Sequence, residues 1–310
     1  MSTLAQIADK NNKCGAAAAE TGTLGCQIEF GTPLHAIAVR KGTVIPANTV
    51  FDKTYIDTQT QLGIFIPMIG ADSFEEQSSE DSVTTNTRGV ERLSTLGLPK
   101  YALTFQQGHH FFKELAKLTT FKSLDFIFGD ENGNWKMAVN SAGDFTGFSA
   151  GQVLAKITKT KVQGGDPESK TVTVQMLNRD QWDINYAVLE RNQLDFSPEE
   201  IDGINAVEIT IGPLAAAGTS LAFTMMLAAD RNTPIEGMLI ADLKFYADGV
   251  AFVPSAIAPG TNGAYTATIT AQTVGKKITM STWDSLTGTT AILKTGVLYR
   301  GSSNEVTVTA

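Results

Sequence analysis

Cysteine and histidine are scarce in this chain, at two and three of 310 residues. Cys14 and Cys26 form no CxxC pair and have no histidine cluster beside them, so a zinc site is not expected. Free thiols are expected, with later disulfide formation outside the cell left open. Charge is also thin, at 18% of residues, below the usual quarter. What charge there is leans acidic, with a net of −8, so the chain lacks the basic surface by which proteins grip nucleic acid. No apolar run approaches the ~20 residues of a membrane span, and the longest, 220–229, runs into Asp230-Arg231. The start, MSTLAQIADKNNK, shows no cationic-then-apolar signal pattern, so synthesis and folding in a cytosol are expected. Catalytic motifs are missing as well: there is no G-x-S-x-G, H-E-x-x-H, Walker A or G-x-G-x-x-G.

The residues that could carry chemistry read as structural. His35 lies in a strand pattern, where a satisfied or exposed side chain is expected. His109 and His110 open a helix whose next turn offers Lys113 and Glu114 rather than a ligand set. Asp130, Glu131 and Asn134 do not keep calcium-loop spacing and read as a solvated hairpin turn. The carboxylate pairs Glu75-Glu76, Glu80-Asp81 and Glu199-Glu200 sit in polar segments with no apolar wall to split their pKa values. The expectation is a protein that is not an enzyme and uses no cofactor or metal.

What is present is a strand-rich composition, with Thr, Val, Ala, Ser and 28 glycines. The chain divides by character. Residues 1–25 form a small-residue arm with little to bury. From 26 to 190, β runs recur at 35–40, 61–67, 101–105, 124–128, 135–139, 152–160 and 171–177. Gly129–Asn134 and Gly164–Glu168 are the connectors of two hairpins. Lys156, Lys159, Lys161 and Lys170 stand on the arms of the second hairpin and cannot all be buried. One stretch has helical period: Phe111, Leu115 and Leu118 share a face with Phe112, while Lys113, Glu114 and Lys117 take the other. A single amphipathic helix on a sheet is expected there. Residues 180–189, with Trp182 and Tyr186, close this part.

The acidity is local. Residues 70–91 hold Asp72, Glu75, Glu76, Glu80, Asp81 and Glu91 against Arg88, and 190–202 hold five acids against Arg191. The second cluster, 191–202, reads as a solvated linker. The first reads as a long polar loop that stays mobile until a partner orders it. Beyond it, 203–310 holds seven short β runs punctuated by Gly, Pro and Asn, matching an immunoglobulin-like sandwich. Trp283 is the candidate core tryptophan, and the paired cysteines of antibody domains are absent.

Several motifs carry a resemblance over residues 26–190. They are Ser73-Phe-Glu-Glu76 with its acidic Ser/Thr stretch, Thr87-Arg-Gly89, and Leu98-Pro-Lys-Tyr-Ala-Leu-Thr-Phe-Gln-Gln-Gly108 leading into the helix. Leu124–Asn134, Phe145-Thr-Gly-Phe148 and the lysine-bearing hairpin complete the set. Together they resemble virion proteins of tailed bacteriophages, most of all tail tube subunits. The resemblance implies a β-sandwich or rolled sheet with one helix. It also implies hexameric rings stacked into a tube, other tail proteins as partners, and double-stranded DNA passing through the lumen without specific binding. Location in the virion tail, after synthesis in the host cytoplasm, is implied too, as is an outward-facing immunoglobulin-like domain. The expected contacts between subunits are Asp72, Glu75, Glu76, Glu80, Asp81, Arg88 and Glu91 on one side. Lys156, Lys159 and Lys161, with Lys10 and Lys13 of the arm, are expected on the other. The alternatives are another virion role (capsid, connector or tail completion) and a non-phage adhesive or carbohydrate-binding surface protein.

Overall fold

The computed structural model describes residues 2–8, 30–85, 87–121, 123–159 and 167–310. Cys14, Cys26, Lys10, Lys13 and Lys161 lie outside them, as does the rest of the expected arm beyond residue 8. Strand accounts for 45% of the structure and helix for 13%, so the protein is mainly β, as the sequence implies. It falls into two compact units. One runs to Ile56 and from Ile64 to Ile201; the other comprises Asp57–Gly63 with Asp202–Ala310.

The strands of the first unit are β1 (Pro33–Arg40), β2 (Val44–Ile45), β3 (Phe65–Met68), β4 (Ser73–Glu76), β5 (Ser82–Thr85), β6 (Glu91–Thr95) and β7 (Lys100–Phe105). There follow β8 (Thr120–Phe121), β9 (Leu124–Asp130), β10 (Trp135–Val139), β11 (Phe145–Thr146), β12 (Phe148–Lys159), β13 (Ser169–Met176) and β14 (Tyr186–Leu189). The helices are α1 (Lys53–Gln61), whose residues from Asp57 on group with the second unit, and, within the first unit, α2 (His109–Ala116) and α3 (Arg179–Asp183).

The main sheet runs β2-β11-β10-β9-β12-β13-β7-β4 and forks at β9. Strand β9 pairs with β1 along its length, with β10 through Phe128 and Gly129, and with β12 through Asp125 and Phe126. Its two faces are each packed against a core, which is why it reads as an unbroken apolar run rather than an alternating one. Phe126 and Phe128 enter one core with Leu103, Val172 and Val174. Ile127 enters the other with Ile37, Trp135, Met137 and Phe145.

Helix α2 closes the first core as its periodicity predicts. Phe112, Leu115 and Leu118 are buried and Phe111 packs beside them. Lys170, on β13, is itself buried and donates its Nζ hydrogen to the Phe112 carbonyl at 2.6 Å, tying the helix to the sheet. The β9–β10 turn is solvated only at its tip, where Glu131 and Asn132 are exposed. Asp130 is fully buried, and its carboxylate accepts from the backbone N–H groups of Gly31, Asn132 and Asn134 and from the Asn134 amide.

Two boundary expectations are corrected by the second core. Residues 4–8 are helical, and Leu4, Ile7 and Ala8 are buried in it, so this part of the arm docks on its own chain. Within 191–202, Leu194, Phe196 and Ile201 are buried in the same core, with Phe196 centred 6.0 Å from Phe51 and 6.4 Å from Trp135. The acids of this segment face outward while its apolar residues face in. It is an integral edge of the unit, not a solvated linker.

The second unit contains β15 (Asn205–Ile211), β16 (Ser220–Leu227), β17 (Leu243–Ala247), β18 (Val250–Phe252) and β19 (Ala256–Pro259). It is completed by β20 (Ala264–Thr268), β21 (Lys277–Thr282), β22 (Ala291–Lys294), β23 (Val297–Ser303) and β24 (Val306–Thr307). The order β18-β17-β21-β23-β15-β16-β20-β19 is that of an immunoglobulin-like sandwich. Strands β15, β16, β20 and β19 take the places of A, B, E and D, and β23, β21, β17 and β18 those of G, F, C and C′. The two halves join through the parallel pair β15–β23. Gly301 sits at that junction because a Cβ there would lie 2.5 Å from the Val207 carbonyl oxygen. The core is Phe223, Met225, Phe245, Tyr265, Ile278 and Met280, with Phe223 stacked on Tyr265 at 5.3 Å. Trp283 does not fill it as expected. It is half-buried, with the Lys244 Nζ 3.8 Å from its ring centre, and Phe245 takes the central place.

Candidate functional site

The acidic segment, expected as a long polar loop, contains the strands β4, β5 and β6. Strand β4 adds Ser73–Glu76 to the edge of the sheet beside β7, which puts Glu75 and Glu76 on the outermost strand. Gln77 and Ser78 then bond the carboxylates of Glu75 and Glu76. Strands β5 and β6 form a separate two-stranded ribbon in which every described residue is exposed. Val83 lies opposite Leu93 across this ribbon, and Val83, Val90, Leu93 and Leu96 are each 53–54% exposed. Arg88 lies in the turn of the ribbon, Glu91 begins its second strand, and Asp72 and Glu80 are exposed outside the strands.

The ribbon is anchored at its root. Asp81 accepts two hydrogen bonds from Arg179 Nη1, at 2.8 and 3.0 Å, and one from the Gly97 N–H at 2.8 Å. Arg179 also donates its Nε hydrogen to Asp183, one turn along α3. The Gly97 N–H and the Arg179 guanidinium together hold the Asp81 carboxyl below the usual carboxylate range. Gly97 is required for this approach, since a Cβ would fall 1.9 Å from the Ser79 carbonyl oxygen. Asp81 thus pairs with Arg179 of its own chain. Lys156 is exposed, the Lys159 side chain is outside the described residues, and so is Lys161.

Between this root, α3 and the start of β1 lies a groove of about 800 Å³. Its walls include Phe30, Phe74, Tyr101 and Trp182, and Glu76, Glu80 and Glu131 also line it. Within it is Lys136, only 7% exposed. On β10 its neighbours Trp135 and Met137 point into the second core, so strand alternation sends Lys136 to the opposite face. Its Nζ lies 3.8 Å from the centre of the Trp182 ring and 4.1 Å from that of Tyr186. Burial pulls the ammonium down to about 8, against the opposing pull of Asp183. Burial, with Glu76 and Asp183 adding to it, also raises the Tyr101 phenol above its ordinary value.

The histidines stand apart from this groove. His35 is buried, its Nδ1 accepts from the Gly70 N–H at 3.1 Å, and burial holds its pKa below the usual histidine value. It is a satisfied core residue. His109 and His110 are exposed at the start of α2. Among the described residues no group of three His, Cys, Asp or Glu side chains is placed to hold a metal. The anchor Arg179 and the caged Lys136 were not anticipated from sequence. The one available signal for Lys136 was a lysine between Trp135 and Met137 in an otherwise apolar strand.

No family model matches the chain, and no curated protein matches it in sequence. Among solved structures it is similar to a Corynebacterium diphtheriae protein described as membrane anchored, at 13% identity and a TM-score of 0.21, covering 92% of this chain and 52% of that one. It is also similar to SGBP-B of a Bacteroides ovatus mixed-linkage glucan utilisation locus, solved with a mixed-linkage heptasaccharide. There the identity is 11% and the TM-score 0.21, covering 76% of this chain and 60% of that one. The chain therefore spans between half and two thirds of either neighbour, and TM-scores this low support no inference from them. Among the described residues, no helix is long and apolar enough to cross a membrane.

Proposed function

We propose that this protein is a non-enzymatic structural subunit that assembles with copies of itself, and that it serves as a tail tube subunit of a tailed bacteriophage. The observation that carries the assembly reading is the β5–β6 ribbon, with Val83 and Leu93 paired across it and over half exposed. A two-stranded ribbon is marginally stable in water without a covering layer, and a second copy supplies one. The sheet edge at β4 adds to this, because among the described residues β4 pairs only with β7 and open edges are covered when subunits close into a ring.

The tube itself rests on the resemblance across residues 26–190. In that reading, rings of six stack along the virion tail and DNA passes through the lumen without specific binding. The acidic overall balance suits such a lumen, since a basic wall would hold phosphates. The ribbon reaches the next ring, where Glu75, Glu76, Glu80 and Glu91 meet Lys156, Lys159 and Lys161 of another copy, and the immunoglobulin-like unit decorates the outside. Negative-stain microscopy of the purified protein at rising concentration is the test. Rings or tubes are expected. A field of single particles of monomer size at every concentration and salt would overturn the reading.

A further inference from the structure

Nothing in the assembly reading uses Lys136. A buried ammonium ordinarily has a carboxylate or several acceptor oxygens around it. Among the described residues Lys136 Nζ makes neither an ion pair nor a hydrogen bond, and its close neighbours are the rings of Trp182, Tyr186 and Phe30. Lys136 lines a groove of about 800 Å³, within the size range of small-molecule sites.

We infer that this groove is a binding site for a small neutral aldehyde or ketone with a flat, apolar body, and that Lys136 captures it as an imine. Three features set the ligand class. Phe30, Phe74 and Trp182 offer apolar ring surface against which a flat ligand packs. Glu76, Glu80 and Glu131 line the same groove, and the one further cation among its described lining residues, Arg179, is held by Asp81 and Asp183, so the acidic balance repels an anionic ligand such as a phosphorylated or carboxylated aldehyde. The amine itself is chemically competent. With burial bringing it to about 8, roughly a tenth of it is the free base at pH 7, some 300-fold more than for an ordinary lysine. A lysine desolvated in an apolar setting is the form in which this side chain acts as a nucleophile.

The step balances without any further reagent. The lone pair on Nζ adds to the carbonyl carbon and the C=O π electrons move to oxygen. Both hydrogens of the neutral amine leave with that oxygen as water while the C=N bond forms. Protonated, the imine is a cation, and the faces of Trp182 and Tyr186 and the charge of Asp183 stabilise it in the place the ammonium held.

The experiment treats the full-length protein with benzaldehyde and sodium cyanoborohydride at pH 7.5 and maps the trapped secondary amines by mass spectrometry. The expected result is modification of Lys136 ahead of the exposed Lys113, Lys117 and Lys156, with a rate that rises through about pH 8. 4-Carboxybenzaldehyde is expected to modify Lys136 at least fivefold more slowly relative to the exposed lysines. Labelling of the exposed lysines with Lys136 untouched overturns the inference. So does labelling of Lys136 that is indifferent to the added carboxylate, since the lysine would then be reached from outside the groove. Neither result bears on whether the protein assembles.

Discussion

Lys136 Nζ and the Trp182 ring, 3.8 Å apart, join the middle of β10 to helix α3. The contact is attractive, at about 0.5–2 kcal/mol, yet the ammonium gives up more by leaving water. Its fall from 10.5 to about 8 corresponds to a cost on the order of 3 kcal/mol in the charged state.

Replacing Lys136 with Met should therefore stabilise the first unit by about 1–3 kcal/mol at pH 7. The cost is felt in full below pH 8, where the folded protein keeps the proton. Between pH 8 and 10.5 the unfolded chain binds more protons than the folded one, so wild-type stability rises with pH. Urea denaturation at pH 7, 9 and 10.5 should show the advantage of the variant shrinking across the series.

The ribbon root makes a separate prediction. Gly97→Ala places a methyl group against the Ser79 carbonyl and breaks the approach that lets Asp81 reach both the Gly97 N–H and Arg179. The core of the first unit is untouched, so its melting temperature should change little. Limited proteolysis should cut between Ser79 and Leu96 much faster than in the wild type.

Phe196 tests the edge of the unit. Its side chain is 1% exposed, among Phe51, Trp135 and Ile201, and Phe196→Ala should cost about 3–5 kcal/mol in a denaturant titration. A chain ending after Ile201 should fold and assemble without the immunoglobulin-like unit, whereas one ending after Glu190 should not fold.

Much of the β framework is legible in the sequence because apolar residues mark it directly, and helix α2 because its period is clean. The failures have particular causes. Helix α1, KTYIDTQTQ, has too few apolar residues to show a period, although Ile56 is fully buried. In 191–202 the acids dominate the pattern, and the three apolar residues that decide its place, Leu194, Phe196 and Ile201, are spaced without a period. Strand β23, VLYRGSS, has only two apolar residues at its start and a glycine within it, whose role is the close approach to Val207. The groove was not legible at all. Phe30, Lys136, Arg179 and Trp182 come together only through the fork of the sheet at β9 and the return of α3, contacts with no local signature.

The proposed assembly brings the apolar side of the ribbon, with Val83 and Leu93, against another copy of the chain. Sedimentation velocity across a hundredfold range of protein concentration tests it directly, comparing the wild type with the double variant Val83→Asp and Leu93→Asp. Both residues are exposed on the ribbon, so the variant should keep the wild-type circular dichroism. The wild type should sediment as rings and larger polymers that high salt weakens, and the variant as a monomer. A wild type that stays monomeric throughout, or a variant that polymerises as the wild type does, would contradict the claim.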